Sequence, residues 1–269
     1  MSDRALARVA LILLGVTILL FGGIGLLLAI NADATFGNTG TLLLFLALAG
    51  IGAVIVVRQP RNLIGWIFLA TGVAAAPQSL STEVSLFVYR HGGATSLVRW
   101  LAWPGEWLWI LPYGALLTVV PLLFPDGRLP SSRWRPLAWF LVAYFTSLLV
   151  AFALLPGQSD MPPVANPAGL QAARPFLAPY TTLSFPIAIV LSFVCVTSLI
   201  FRYRRADGDA RQQIKWFGLA MAVMASLFFA AGVSSGLGYL GLSDLFATIG
   251  FLAIPAGAAV AMLRYHLYD

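Results

Sequence analysis

Apolar residues run through this chain in eight long stretches, each closed by a short group of charged or turn-forming residues. They cover about 9–30, 41–57, 63–77, 104–124, 134–155, 181–201, 214–235 and 242–263. At 1.5 Å per residue, about 20 helical residues cross a hydrocarbon core roughly 30 Å thick. The pattern therefore predicts an all-α, polytopic membrane bundle of about eight transmembrane helices, forming a single domain over residues 1–269.

The turn that organises the pattern is Phe124-Pro125-Asp126-Gly127-Arg128-Leu129-Pro130, followed by Arg133, Trp134 and Arg135. Proline presets φ, aspartate hydrogen-bonds nearby backbone, and glycine tolerates a left-handed conformation. Arginines after such a turn stay out of hydrocarbon and mark the side on which basic loops remain.

Taken in order, Ala32-Asp33-Ala34 resembles a small-residue cleavage site, but the preceding run is longer than the 7–15 residues usual for a signal h-region. An uncleaved first span is expected. The third span weakens after Pro77, where a more polar stretch with Glu83, Arg90 and His91 leaves room for a helix reaching as far as Tyr89. Trp100, Trp103, Trp107 and Trp109 crowd the start of the fourth span, and Pro112 and Pro121 should bend it. Residues 156–179 read as a polar, Pro-rich loop without periodicity. Pro186 should kink the sixth span and Pro255 lies inside the eighth. The small residues between Ala230 and Gly241 suit close helix contact or a tight external turn.

Composition agrees with the pattern. The chain is 60% hydrophobic and 10% charged, with a mean hydropathy of +0.89. An ordinary soluble domain carries far more charge to cover its surface. The net charge of +6 does not point to nucleic acid, because the basic residues form short clusters between apolar runs rather than a groove or stripe. Counting from an inside N-terminus, thirteen of the 16 Lys and Arg fall in inside segments, and only Arg90, Arg99 and Arg174 fall outside. Eight spans with both termini cytoplasmic follow from that bias. The lone Cys195 sits within an apolar run, so no intramolecular disulfide forms.

Several chemistries lack their parts. His91 and His266 fall on opposite sides, no histidine lies in a span to act as a base beside a serine, and no Gly-rich phosphate loop occurs. No cofactor and no metal site are expected. Spans poor in carboxylates argue against proton coupling. The candidate ligand-binding residues are Trp103, Glu106 and Trp107. On a helix with Pro104 in its first turn, Trp103 and Trp107 share a face and Glu106 lies about 60° from it, while Trp109 falls well off. Together they would line an outward pocket for a cation or an amphiphile. The other reading is an interfacial carboxylate beside an aromatic belt. Asp244 has the same two readings, and Cys195 reads as packing.

Arg61-Asn62-Leu63-Ile64-Gly65-Trp66, the Trp-rich fourth span, Phe124-Pro125-Asp126-Gly127-Arg128, Asn166-Pro167-Ala168-Gly169-Leu170, the stretch 204–216 and the stretch 263–269 occur in one order. That order resembles the N-terminal membrane region of sensor histidine kinases from actinobacteria and related bacteria. The resemblance implies a multi-span input module in the bacterial cytoplasmic membrane, feeding a cytoplasmic dimerisation and ATP-binding portion. The output portion of such kinases is not found before the chain ends at Asp269, so this chain is expected not to be an enzyme and His266 not to be a phosphoacceptor. Its expected partners are the lipid bilayer and a cytoplasmic signalling effector, with a homodimer compatible with that role. The competing expectation is a small-molecule permease or lipid-handling protein, which needs a continuous polar path through the bundle.

Overall fold

In a computed structural model, which describes residues 2–159 and 161–264, the eight apolar stretches are eight helical crossings. The first is α1 (Asp3–Ile30), whose N-terminus is capped by the Ser2 hydroxyl accepting from the Ala5 N–H. Next come α2 (Phe36–Arg58), capped by Thr35, and α3 (Leu63–Gly92), capped by Asn62. Such caps satisfy amide groups that the helix itself leaves unbonded. The fourth crossing is α4 (Ser96–Ala102), a 3₁₀ turn (Trp103–Glu106), α5 (Ile110–Gly114), a π turn (Ala115–Val119) and α6 (Val120–Leu123). Then follow α7 (Arg135–Leu154), α8 (Arg174–Tyr203), α9 (Gly208–Gly236) and α10 (Leu240–Arg264). Pro136 and Pro175 stand in the first turns of α7 and α8, where a missing N–H costs no bond.

All eight are long and apolar enough to cross a membrane. Several outrun the hydropathy pattern. Residues 3–8 and 174–180 are helical before the predicted first and sixth spans begin. Past Pro77, α3 runs on through Tyr89 to Gly92, and its 30 residues in all span about 45 Å at 1.5 Å per residue. The fourth crossing begins at Ser96 rather than Pro104 and is not one uninterrupted helix.

The helix α3 stands at the centre, packed on α1, α2 and every piece of the fourth crossing. α10 packs on α9 and α2, and α8 joins the fourth crossing to α7 and α9. Phe21, Phe45, Phe68, Phe124 and Phe217 are fully buried in the shared core. Around this centre Leu19, Trp139, Phe176 and Phe229 are more than two-thirds exposed. A rim of this kind needs an apolar solvent, and lipid supplies one. The small-residue stretch near Gly238 resolves as a tight turn: Gly238 has φ 84°, while a Cβ added at Gly232, Gly236 or Gly241 would meet nothing within 4 Å. Cys195 is fully buried against the α7 side of α8. His266 lies outside the described residues.

Contacts sort the loops into two ends. At one end Asp3 pairs with Arg61 at 3.3 Å, Leu63 packs on Gly127, and Asp126 pairs with Arg202. At the other, Asn31 bonds Glu83 and Trp103 bonds the backbone of residue 153. The first end carries the basic clusters, so impermeant thiol labelling of single cysteines in a Cys195→Ala background tests its orientation. Ser132→Cys and Arg204→Cys should be protected from outside in intact cells, and His91→Cys and Ala172→Cys should label. Labelling of Arg204→Cys from outside would overturn a cytoplasmic basic end.

Candidate functional site

The fourth crossing is broken where its tryptophans cluster, and the break has a local cause. Pro104 has no N–H to give to the carbonyl four residues back. One residue on, the Ser81 hydroxyl of α3 inserts into the helical ladder. It donates to Leu101 O at 2.5 Å and accepts from the Gly105 N–H at 3.0 Å, replacing the i→i−4 bond between those two residues. Side chains inserted in this way are a recognised cause of sharp helix bends. Gly105 permits the approach, since a Cβ there would lie 2.7 Å from Thr82 Oγ1.

The 3₁₀ turn then redirects the aromatic rings. Trp103 and Trp107 meet edge-to-face at 5.3 Å, and Trp100 meets Trp103 at 5.8 Å. Trp109 stacks on Phe185 of α8, and its indole donates to Glu106 O at 3.0 Å. Trp103, Glu106 and Trp109 line one cavity of about 230 Å³, roofed by residues 157–159 and 164–167 of the α7–α8 loop. Trp107 does not line it; its indole nitrogen is buried among the protein's own atoms without a hydrogen-bond partner among the described residues. The structure thus brings Trp103 and Glu106 together, leaves out Trp107, and substitutes Trp109, which an α-helical projection sends elsewhere.

The roof is ordered by residues that periodicity does not single out. Helix α7 ends with carbonyls that its own ladder cannot satisfy. Ala153 O accepts from both Trp103 Nε1 at 2.8 Å and Asn166 Nδ2 at 3.0 Å, and Leu155 O accepts from Asn166 Nδ2 at 2.9 Å. Leu154 O takes the Leu170 N–H. Asn166 Oδ1 also accepts from the Ala168 N–H at 2.9 Å, an Asx turn, which Asn-Pro in the sequence hints at. The buried Ser159 hydroxyl donates to Pro162 O and Val164 O, so the loop read as aperiodic is a bonded cap.

The same crossing ends in the organising turn. A π turn precedes it, with the Val120 N–H reaching back five residues to Ala115 O. Pro121 O would normally accept from residue 125, but that residue is Pro125, and the Ser198 hydroxyl of α8 bonds it instead at 3.0 Å. Arg202 of α8 donates to Asp126 Oδ1 at 2.7 Å, to Leu122 O at 3.4 Å and to Arg128 O. Phe124 stacks on Phe217 of α9 with centroids 4.1 Å apart. Gly127 has φ 72°, and a Cβ there would meet the Leu63 Cβ of α3 at 2.6 Å. One turn is therefore held by α3, α8 and α9 together.

The remaining candidates lie apart from the cavity. Asp244 faces Asn38, Thr41 and Tyr113 across a recess of about 280 Å³ between α2 and α10. Glu83 is buried where α1 ends, accepting from Asn31 Nδ2 at 2.8 Å. Among the described residues no three His, Cys, Asp or Glu side chains gather as a metal site would require. No family model matches the chain, and neither a curated protein nor a solved structure is significantly similar to it.

Proposed function

We infer that the chain is a membrane-embedded sensory input module, passing a stimulus at the tryptophan-lined cavity to a signalling effector at the basic end. In this reading the membrane is the bacterial cytoplasmic one, the basic end is cytoplasmic, and a histidine kinase output portion is the effector that the sequence resemblance suggests. The observation that carries the reading is the fourth crossing itself. It lines a cavity at one end and forms the clamped turn at the other, with a π turn between them. A signal relay needs an element with two arrangements that both sites bias. A crossing interrupted by proline, by an inserted serine and by a π turn has fewer ladder bonds opposing such a shift than a continuous helix. π turns inside helices recur at functional sites.

A permease receives less support from the same bundle. Its path would need hydroxyls turned to a common lumen, whereas Thr17, Thr71, Thr118 and Ser192 bond carbonyls of their own helices four residues back. The test is a fusion of the chain to a histidine kinase output portion. Trp103→Leu and Arg202→Ala should each change autophosphorylation by about fivefold or more, the range of ordinary coupling energies. Folded variants that both phosphorylate like the parent sink the reading, and solute flux in proteoliposomes would replace it with transport.

A further inference from the structure

Arginine is scarce at the end away from the basic clusters, where, among the described residues, Arg90, Arg99 and Arg174 are the only Lys or Arg side chains. Loop charge alone disfavours arginine at that end if it faces outward, and arginines placed there without a task would scatter. Two of the three instead converge. Arg99 of α4 and Arg174 in the first turn of α8 line one cleft of about 460 Å³, with Gln158 and Gln171 adding amide donors. Among the described residues, neither arginine has a carboxylate within ion-pairing distance. A pair of guanidinium groups beside amide donors matches a phosphate or carboxylate.

The cleft does not end there. Arg99, Gly157, Gln158 and Val164 line both it and the tryptophan cavity, so the two adjoin. Trp109 borders that cavity and also a third one of about 380 Å³, further along the crossing. The third cavity is walled by Tyr113, Leu117, Phe145, Phe185 and Phe251, and it includes Gly114 beside the π turn and Thr118 within it. Charged cleft, aromatic neck and apolar cavity succeed one another along a single line of residues. Glu106 borders the neck, which leaves the Arg99–Arg174 side for a negative group.

We propose that this composite site takes an anionic amphiphile, with a phosphate or carboxylate head at Arg99 and Arg174 and an alkyl chain passing Trp109 into the cavity beside the π turn. The proposal rests on the sensory reading and names the ligand class of its stimulus site. The chain of the ligand would touch the fourth crossing, α7, α8 and α10 at once, placing it against the interrupted part of the relay.

The experiment uses the full chain in alkyl maltoside micelles and dodecyl phosphate brominated on its chain, since bromine quenches nearby tryptophan. Saturable quenching is expected, with the quenched component removed by Trp109→Phe. Arg99→Gln and Arg174→Gln should each weaken apparent affinity about tenfold, as loss of a charged hydrogen bond does. Arg99→Lys and Arg174→Lys should retain most of it, and unchanged melting temperatures show that all four variants fold. Nanodiscs carrying brominated phosphatidylglycerol or phosphatidylcholine identify the source. Quenching of Trp109 by phosphatidylglycerol assigns a membrane lipid, and quenching by the added alkyl phosphate alone assigns a soluble amphiphile. Equal quenching by a brominated alkyl maltoside, indifference to the Arg→Gln substitutions, or no quenching in any arm overturns the proposal. None of those results would alter the phosphorylation of the fusion bearing Arg202→Ala, so ligand class and relay fail separately.

Discussion

Gly52→Ala and Gly72→Ala should each destabilise the bundle by about 2 kcal/mol or more, in the range measured for overpacked cores. A Cβ on Gly52 of α2 would lie 2.4 Å from Leu69 N and 2.7 Å from Gly65 O. One on Gly72 of α3 would lie 2.6 Å from Phe45 O and 2.9 Å from Ala49 N. These neighbours are backbone atoms of the facing helix and cannot rotate away, so the whole α2–α3 pair must part. Parting it loosens Phe45 and Phe68, which are fully buried in the shared core. Membrane helices gain little from apolar transfer between themselves and depend on this close approach. Gly50 is the control, two residues from Gly52 on the same helix with nothing within 4 Å of an added Cβ. Gly50→Ala should be neutral or stabilising, because alanine favours the helix by up to about 1 kcal/mol. The double variant Gly52→Ala/Gly72→Ala should cost less than the sum, since one separation relieves both clashes. Thermal unfolding in detergent reads all four, and a Gly52→Ala protein that melts like Gly50→Ala would refute the seam.

That seam also shows what a sequence makes legible in a bundle of this kind. The eight crossings are visible because hydrocarbon tolerates only long apolar helices, and a run of that length has few other meanings. Their ends are less visible, because hydropathy marks the membrane and not the helix. Residues 3–8 and 174–180 are helical but too polar or Pro-rich to score, and α3 beyond Pro77 is held by lateral bonds through Ser81 and Glu83. The organising turn is legible because Pro-Asp-Gly fixes its own backbone. Its clamp is not, since Arg202 and Ser198 lie more than 70 residues away in sequence.

The tryptophan cluster falls between these cases. Its residue types announce an interface, and Trp103 and Glu106 do share a cavity. The angles between them depend on Ser81, a residue of another helix, which sets the break and so exchanges Trp107 for Trp109. Asn166, which fastens the roof, is signalled by its Asn-Pro dipeptide and by its place in the resembling stretch Asn166–Leu170, neither of which gives its bonds to the end of α7. Local chemistry is readable from the chain, and the mutual orientation of side chains on an interrupted helix waits on its neighbours.

The second large effect is expected at Arg202. Its side chain is 11% exposed, and its fork holds a carboxylate and two carbonyls of the organising turn at once. Arg202→Ala removes every one of those donors. Leaving the part-buried Leu122 O without its donor costs about 1–3 kcal/mol, while Arg128 O is exposed and can turn to water, and the Asp126 contribution is small because that carboxylate is 54% exposed and well screened. A loss of about 1–3 kcal/mol is therefore expected, carried mainly by Leu122 O. Lysine offers a point charge with no planar fork and cannot serve the carboxylate and both carbonyls together, so Arg202→Lys should recover less than half of the loss. A double-mutant cycle with Asp126→Ala separates the contributions. If the carbonyls dominate, Asp126→Ala alone costs about 0.5 kcal/mol, and the two substitutions add nearly independently. A double variant no less stable than Arg202→Ala, beside a single Asp126→Ala that is equally damaging, would show that the ion pair is the fastening. The turn would then weaken with rising salt, whereas a clamp built on carbonyls should hold its melting temperature across the same range.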